Sequence, residues 1–107
     1  KKLRNIWTQK EFLLEFNMFN TLENLIKLAR DRKTSPVEDS YTNKLLTDKS
    51  LSKAKVLEEV GELIQAVEEN SNIIHEAADV FYHLLIYLEA NDIKIEEIMT
   101  ELDNRKK

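Results

Sequence analysis

Leu22, Leu25, Ile26, Leu28 and Ala29 repeat with the 3.6-residue period of a helix. Asn20 with Glu23, or Thr21 with Asn24, offers its N-cap, and the helix should end near Lys33. Upstream, Trp7, Phe12, Leu13, Leu14, Phe16, Met18 and Phe19 are too many large apolar groups for a disordered tail, and a short helix over Thr8 to Phe16 accounts for them. Thr34 to Asp39 reads as a loop, because Pro36 turns Ser35 away from the helical region. Ser40 then caps a short helix through Asp48 that should bury Tyr41, Leu45 and Leu46 and leave Lys44 on the polar side.

After a break near Lys49, Ser50 or Ser52 caps a long helix ending near Asn70. On a helical wheel Val56, Val60, Leu63, Ile64 and Val67 make its apolar face, and Glu58, Glu62, Gln65 and Glu69 lie opposite. Glu59 falls at the border, beside Leu63 and Ala66, and is the acid most readily drawn inward. Glu69 to Asn72 is a tight connection, with Ser71 or Asn72 as the next cap. From Ile73 to Ala90 the chain is apolar nearly all round, which predicts a helix buried at the centre of a bundle. Its polar residues Glu76, Asp79 and His83 form one stripe within roughly 60° of one another. Asn91 and Asp92 end that helix, and Ile95, Ile98, Met99 and Leu102 support a last amphipathic one. The expected fold class is all-α, a helical bundle of about four to five helices with no internal repeat.

Composition sharpens this picture. One glycine and one proline in 107 residues leave few places for strand breaks or tight turns. With 42% hydrophobic and 34% charged residues, the chain reads as one soluble globular domain or a piece of a longer protein. A net charge of −4 gives no electrostatic case for nucleic acid and would repel a polyphosphate unless cations or local lysines intervene. With no cysteine, thiol catalysis, disulfides and thiolate-bound zinc are excluded. No apolar run is long enough to cross a bilayer, and Lys1 to Trp7 lacks the apolar core of a secretory signal, so a cytoplasmic protein without a membrane partner is expected. The Lys1 start suggests a processed chain or part of a larger protein.

The chemistry concentrates in Lys55 to His83. Glu58, Glu59 and Glu62 share one helix, Glu76 and Asp79 the next, and side-by-side packing would bring these acids to one polar pocket. A run of glutamates is ordinarily a solvated face. Glu76 and Asp79, however, lie on the most apolar helix of the chain, which carries no Lys or Arg to partner them. Uncompensated buried carboxylates protonate, or they hold a metal. A cation held by Glu59, Glu62, Glu76 and Asp79 satisfies that requirement. Oxygen-only ligands select magnesium, manganese or calcium over zinc; with no calcium-loop motif and with ligands on stiff helices, magnesium (Mg2+) is expected. Magnesium binds substrate phosphates, so the substrate should be a phosphate ester or phosphoanhydride, and Glu58 can serve as general base where it is not merely solvated. His83 is either a hydrogen-bonded core histidine or a group that orients Asp79 or Glu76 from outside the ligand set. His75 reads as structural or exposed, and Tyr82 and Tyr87 as packing groups whose hydroxyls find partners. Lys44 and Lys55 are candidates to meet the substrate's negative charge, while Arg30, Arg32 and Lys33 complement a helix end.

Three blocks carry a resemblance: Ser40-Tyr-Thr-Asn-Lys-Leu-Leu46, Lys55-Val-Leu-Glu-Glu-Val-Gly-Glu62 and Glu76-Ala-Ala-Asp-Val-Phe-Tyr-His-Leu-Leu85. The two acid motifs alone are similar to the all-α nucleoside triphosphate pyrophosphohydrolases (MazG-like). With the Ser-Tyr-Thr block and the Tyr-His-Leu-Leu ending, residues Thr21 to Leu102 resemble the phosphoribosyl-ATP pyrophosphohydrolase family of histidine biosynthesis. That resemblance implies magnesium-dependent hydrolysis of phosphoribosyl-ATP to phosphoribosyl-AMP and pyrophosphate. It puts Glu59, Glu62, Glu76 and Asp79 at the metal-ligand positions, Ser40, Tyr41, Thr42 and Lys44 near the substrate, and the site near contacts of a homo-oligomer, often a dimer. Residues 1–19 fall outside the likeness and are expected to be an extension or linker, with 20–107 as the catalytic domain; fusion to phosphoribosyl-AMP cyclohydrolase is one such arrangement. Leu57 stands where the family commonly has glycine, Val60 where it has alanine, and Glu68 where many relatives have lysine, changes expected to bear on helix packing near the acids and on one phosphate contact. A house-cleaning pyrophosphohydrolase and a non-catalytic helical oligomerisation module are the alternatives.

Overall fold

The computed structural model describes residues 9–106, with side chains from Asn20 onward; the expectations for Trp7 and its neighbours at the N-terminus, and for the side chains of Phe12 to Phe19, lie outside the described residues. Five helices follow one another: α1 (Gln9–Thr34), α2 (Tyr41–Thr47), α3 (Lys49–Glu69), α4 (Ile73–Ala90) and α5 (Ile95–Asn104). Among the described residues there is no strand. The all-α expectation is met, with α3 and α4 packed as a hairpin and α1 and α2 laid against α4.

Two boundaries differ from expectation. The two N-terminal helices are one, because α1 runs through Asn20 and Thr21 without interruption. A cap residue offers a start without forcing a stop, and neither glycine nor proline breaks this stretch. Neither Ser50 nor Ser52 caps α3: the Asp48 carboxylate does, accepting from the Leu51 amide at 3.0 Å, and Ser52 is buried inside the helix. Ser40 caps α2 as expected. The Asn43 side chain ties down the preceding loop, accepting from Val37 N at 2.7 Å and donating to Arg32 O at 2.8 Å. Asn70 and Asn72, both left-handed at φ 52° and 57°, make the α3–α4 turn in which asparagine is among the tolerated residues.

The core is small. Ala29, Leu45, Leu46, Ile86 and Ala90 form it, with Leu51 and Tyr82 packed against it. Each large member contributes about 1.5–3 kcal/mol by leaving water. Tyr41, expected inside, is 45% exposed, and Thr42 and Asn43 are buried in its stead. The apolar faces of the hairpin also depart from expectation. Leu57, Val60, Ile64 and Val67 on α3, and Ile74, Phe81 and Leu84 on α4, are exposed. Thus α4 is not enclosed on all sides within one chain, and α3 turns Ser52, Glu59 and Ala66 inward, not its main apolar stripe. Leu57 and Val60 therefore lie on the outer face, not against the acids.

One buried charge leaves no mark in the local sequence. Glu89 on α4 is 4% exposed, and α1 supplies its partners. Arg30 donates from Nε and a terminal nitrogen at 3.0–3.3 Å and also forks onto both oxygens of Glu96 at 2.8 Å. Lys33 donates to the Glu89 carbonyl and to Asp92, each at 2.7 Å. Arg30 pulls the Glu96 carboxyl down to about 2, and Lys33 lowers that of Asp92. Both carboxyls titrate below their unfolded values, so the stability they contribute is present above that range and lost as pH falls through the folded value. Replacing Arg30 by Met should lower unfolding free energy by about 1–3 kcal/mol in urea titrations, since Glu89 keeps only part of its compensation. Glu96→Gln should flatten the acid limb of the stability–pH curve between 4.5 and about 2; an unchanged slope would remove this pair from the account.

Candidate metal and nucleotide site

The α3–α4 hairpin brings the acids of both helices together. Carboxylate oxygens of Glu59, Glu76 and Asp79 all lie within 4.8 Å of one another, and so do those of Glu58, Glu59 and Glu62. Glu59 belongs to both groups and is 7% exposed; Glu76 and Asp79 are half-buried. Glu62, opposite the apolar face on the wheel yet expected among the ligands, is exposed and meets the others through Glu59. Repulsion from Glu59 is the largest influence holding the Glu62 carboxyl above its ordinary range, with partial burial and Glu58 adding to it.

Two oxygens in this cluster are orphans. Glu59 Oε1 and Glu76 Oε1 are buried with no hydrogen-bond partner. Glu89, equally buried, holds Arg30 and lies 3.9 Å from Lys33. One buried carboxylate is thus satisfied by cationic side chains, while among the described residues none makes an ion pair with the other, a donor set that suits a hard divalent ion. The lysine at the edge, Lys55, lies 3.4 Å from the exposed Glu58, whose charge is the main cause of its raised pKa. A polar recess of about 230 Å³ lined by Glu62, Gln65, Glu69, Ser71, Asn72 and Glu76 continues the cluster toward the hairpin turn.

The Ser40 block divides. The Ser40 hydroxyl is taken up by the Asn43 amide and by Arg32 at 2.7 Å, and Thr42 is buried on the Tyr82 hydroxyl. Both are engaged in holding α2. Lys44 is exposed on a separate groove of about 540 Å³ between Pro36 and Thr47, which Tyr41 also lines. The Tyr41 hydroxyl meets His83, and Lys55, Glu59 and Glu58 act electrostatically on the phenol, whose pKa is raised chiefly by burial. His83 is buried, and its ring meets the Asp79 carbonyl and the Tyr41 hydroxyl, not either carboxylate expected for it. His75, set aside on sequence as structural or exposed, is exposed, yet its Nε2 lies 3.5 Å from Asp79 Oδ2. Their four-residue spacing was the available signal.

An all-helical hairpin presenting convergent, uncompensated carboxylates defines a class of protein suited to a divalent cation and the phosphates it carries. The chain belongs to the phosphoribosyl-ATP pyrophosphohydrolase family, whose model matches residues 22–106. It is 44% identical over 94 residues to the phosphoribosyl-ATP pyrophosphatase of Listeria monocytogenes, covering 83% of this chain and 85% of that protein. The corresponding enzyme of Halobacterium salinarum is 37% identical over its whole length, matching 83% of this chain. The histidine biosynthesis bifunctional protein HisIE of Pyrococcus furiosus is 39% identical over 89 residues, 80% of this chain but 41% of that longer protein.

The orphaned oxygens generate a test. In cation-free buffer Glu59→Gln should raise unfolding free energy by about 1–2 kcal/mol, because an amide relieves an unpartnered buried charge. Added magnesium should then raise the wild-type denaturation midpoint and leave that of the variant unmoved. Equal responses of the two proteins would remove Glu59 from the ligand set.

Proposed function

We propose that this chain hydrolyses phosphoribosyl-ATP to phosphoribosyl-AMP and pyrophosphate with magnesium held by Glu59, Glu76 and Asp79 and, from the solvent side, Glu62. The observation that carries the reading is the pair of buried, unpartnered carboxylate oxygens on facing helices; the family membership supplies the substrate. When bound, the cation neutralises charge on the departing pyrophosphate and lowers the pKa of the attacking water. Glu58, exposed beside Glu59, would serve as the general base. Lys55 and Lys44 offer positive charge to the polyphosphate and the phosphoribosyl phosphate. Ser40 and Thr42 act by fixing the α2 backbone that carries Tyr41 and Lys44.

The exposed stripes Leu57–Val60–Ile64–Val67 and Ile74–Phe81–Leu84 are read as the contact with a second copy of this chain. Their position on the two helices that hold the acids supports a site near that contact. The bifunctional relative supports the expectation that this unit also occurs joined to another enzymatic domain, and residues 1–19 are read as an extension ahead of the domain at 20–107. No helix of the described residues is long and apolar enough to cross a membrane, and a cytoplasmic location is part of the proposal.

Pyrophosphate release from phosphoribosyl-ATP should require added magnesium, and Glu59→Gln and Asp79→Asn should each lower kcat by about 100-fold or more. Full activity in both variants would sink the ligand assignment, and faster cleavage of ordinary or damaged nucleotides would sink the substrate. In sedimentation the wild type should run as a dimer or larger. Val60→Lys combined with Ile64→Lys should shift it toward monomer, and a monomeric wild type would end the oligomer reading.

A further inference from the structure

Gly61 is the single glycine of the chain, and it lies in the middle of α3. Glycine is the poorest helix former after proline, so a helix interior gains from one only where a positive φ or a close approach requires it. Gly61 has no positive φ, and α3 continues through it. Among the described residues no atom lies within 4 Å of the place its Cβ would take. Nothing in the described chain makes use of the missing side chain.

The surroundings of Gly61 show what does. Leu57, Val60, Gly61 and Ile64 stand at i, i+3, i+4 and i+7, the four positions that frame a hole for a side chain from a facing helix. Leu57 and Ile64, 67% and 54% exposed, wall this frame, and Gly61 deepens its floor beside Val60. The same spacing recurs on α4 in Ile74, Ala77, Ala78 and Phe81, with small side chains between large exposed ones. By the helical period each frame is turned roughly 150° from the acid of its own helix, Glu59 or Glu76. The frames therefore face away from the acid pocket, and a nucleotide held there is not their occupant.

The apolar stripes that run through these frames leave on the order of 800 Å² uncovered, about what one partner gives to a stable interface and more than an ordinary monomer shows. One surface thus carries both large projecting side chains and gaps to receive them. Self-complementarity of that kind is what a two-fold contact between identical chains demands.

We propose that Leu57, Val60, Gly61 and Ile64 form a socket for a large apolar side chain of a second copy of this chain, with Gly61 setting how closely the two hairpins approach. This rests on the reading of the stripes as an oligomer contact. That reading asks only for apolar area; the socket adds a size limit at position 61.

Sedimentation of the full chain and its Gly61→Ala and Gly61→Leu variants tests this, because helix propensity and packing predict opposite results. At an open helix position alanine strengthens the helix and leaves association alone. In a socket it should raise the dimer dissociation constant about tenfold or more, and leucine should raise it further. Far-UV circular dichroism should show the helix content of Gly61→Ala unchanged where the dimer persists; helix lost on dilution and regained with rising protein concentration reports the same weakened contact. An unchanged or tighter dimer in Gly61→Ala overturns the socket and leaves the oligomer reading standing, whereas a monomeric wild type ends both. An intact dimer with a raised KM for phosphoribosyl-ATP would assign the gap to the nucleotide and also overturn the proposal. So would helix lost at every concentration, which would show that the glycine serves its own chain.

Discussion

A carboxylate taken out of water with nothing to pair it is the constraint around which this molecule is arranged. Burying an ion costs several kcal/mol unless charge or hydrogen bonds compensate. Glu59 is 7% exposed with one oxygen bare, and Glu76 across the hairpin, half-buried, has a second such oxygen. Glu89 serves as an internal control: on the same helix as Glu76 and as buried as Glu59, it has a guanidinium and a lysine drawn from α1. The fold can evidently supply cations where a carboxylate is only structural. Among the described residues none makes an ion pair with Glu59, and that difference within one chain is a stronger argument for a ligand than the acidity of the region.

Turning Glu59 inward has a cost on the other side of α3. On an α-helix the inward direction of Glu59 fixes the direction of Leu57, Val60, Ile64 and Val67, and these lie uncovered. The same trade is visible on α4, where the stripe of Glu76, Asp79 and His83 faces its neighbours while Ile74 and Phe81 face out. The acid pocket and the exposed apolar surface are thus two faces of one packing choice. The small shared core of α1, α2 and α4 holds the hairpin by its other flank.

Much of this was legible in the residues. The period of apolar positions gave the extents of α4 to the residue and of α2 nearly so, since Ser40 and the Asn70–Asn72 turn are strong local signals. The wheel singled out Glu59, and the Glu76–Asp79–His83 stripe was correct in direction. What failed depended on tertiary neighbours. Periodicity reports that a stripe is apolar without saying whether its own chain covers it, so the sequence alone predicts α4 as a central helix. Tyr41 was expected in the core because it is large, whereas Thr42 and Asn43 went inside once their hydrogen bonds to Tyr82, Val37 and Arg32 were available. Glu89 carried no local mark, because its partners lie 56 and 59 residues away.

The Arg30 fork bears on mechanics as well as on charge. It ties the last turn of α4 to α1 and to α5 through a single side chain, so α4 is anchored at its C-terminal end. The acids lie in its first two turns, Glu76 about 20 Å from Glu89 along the axis at the rise of an α-helix. The acid cluster, packed against α3, and the Arg30 network therefore occupy opposite ends of one helix. A change of charge at the ion site is separated by most of the length of α4 from the contacts that keep its C-terminal end in place.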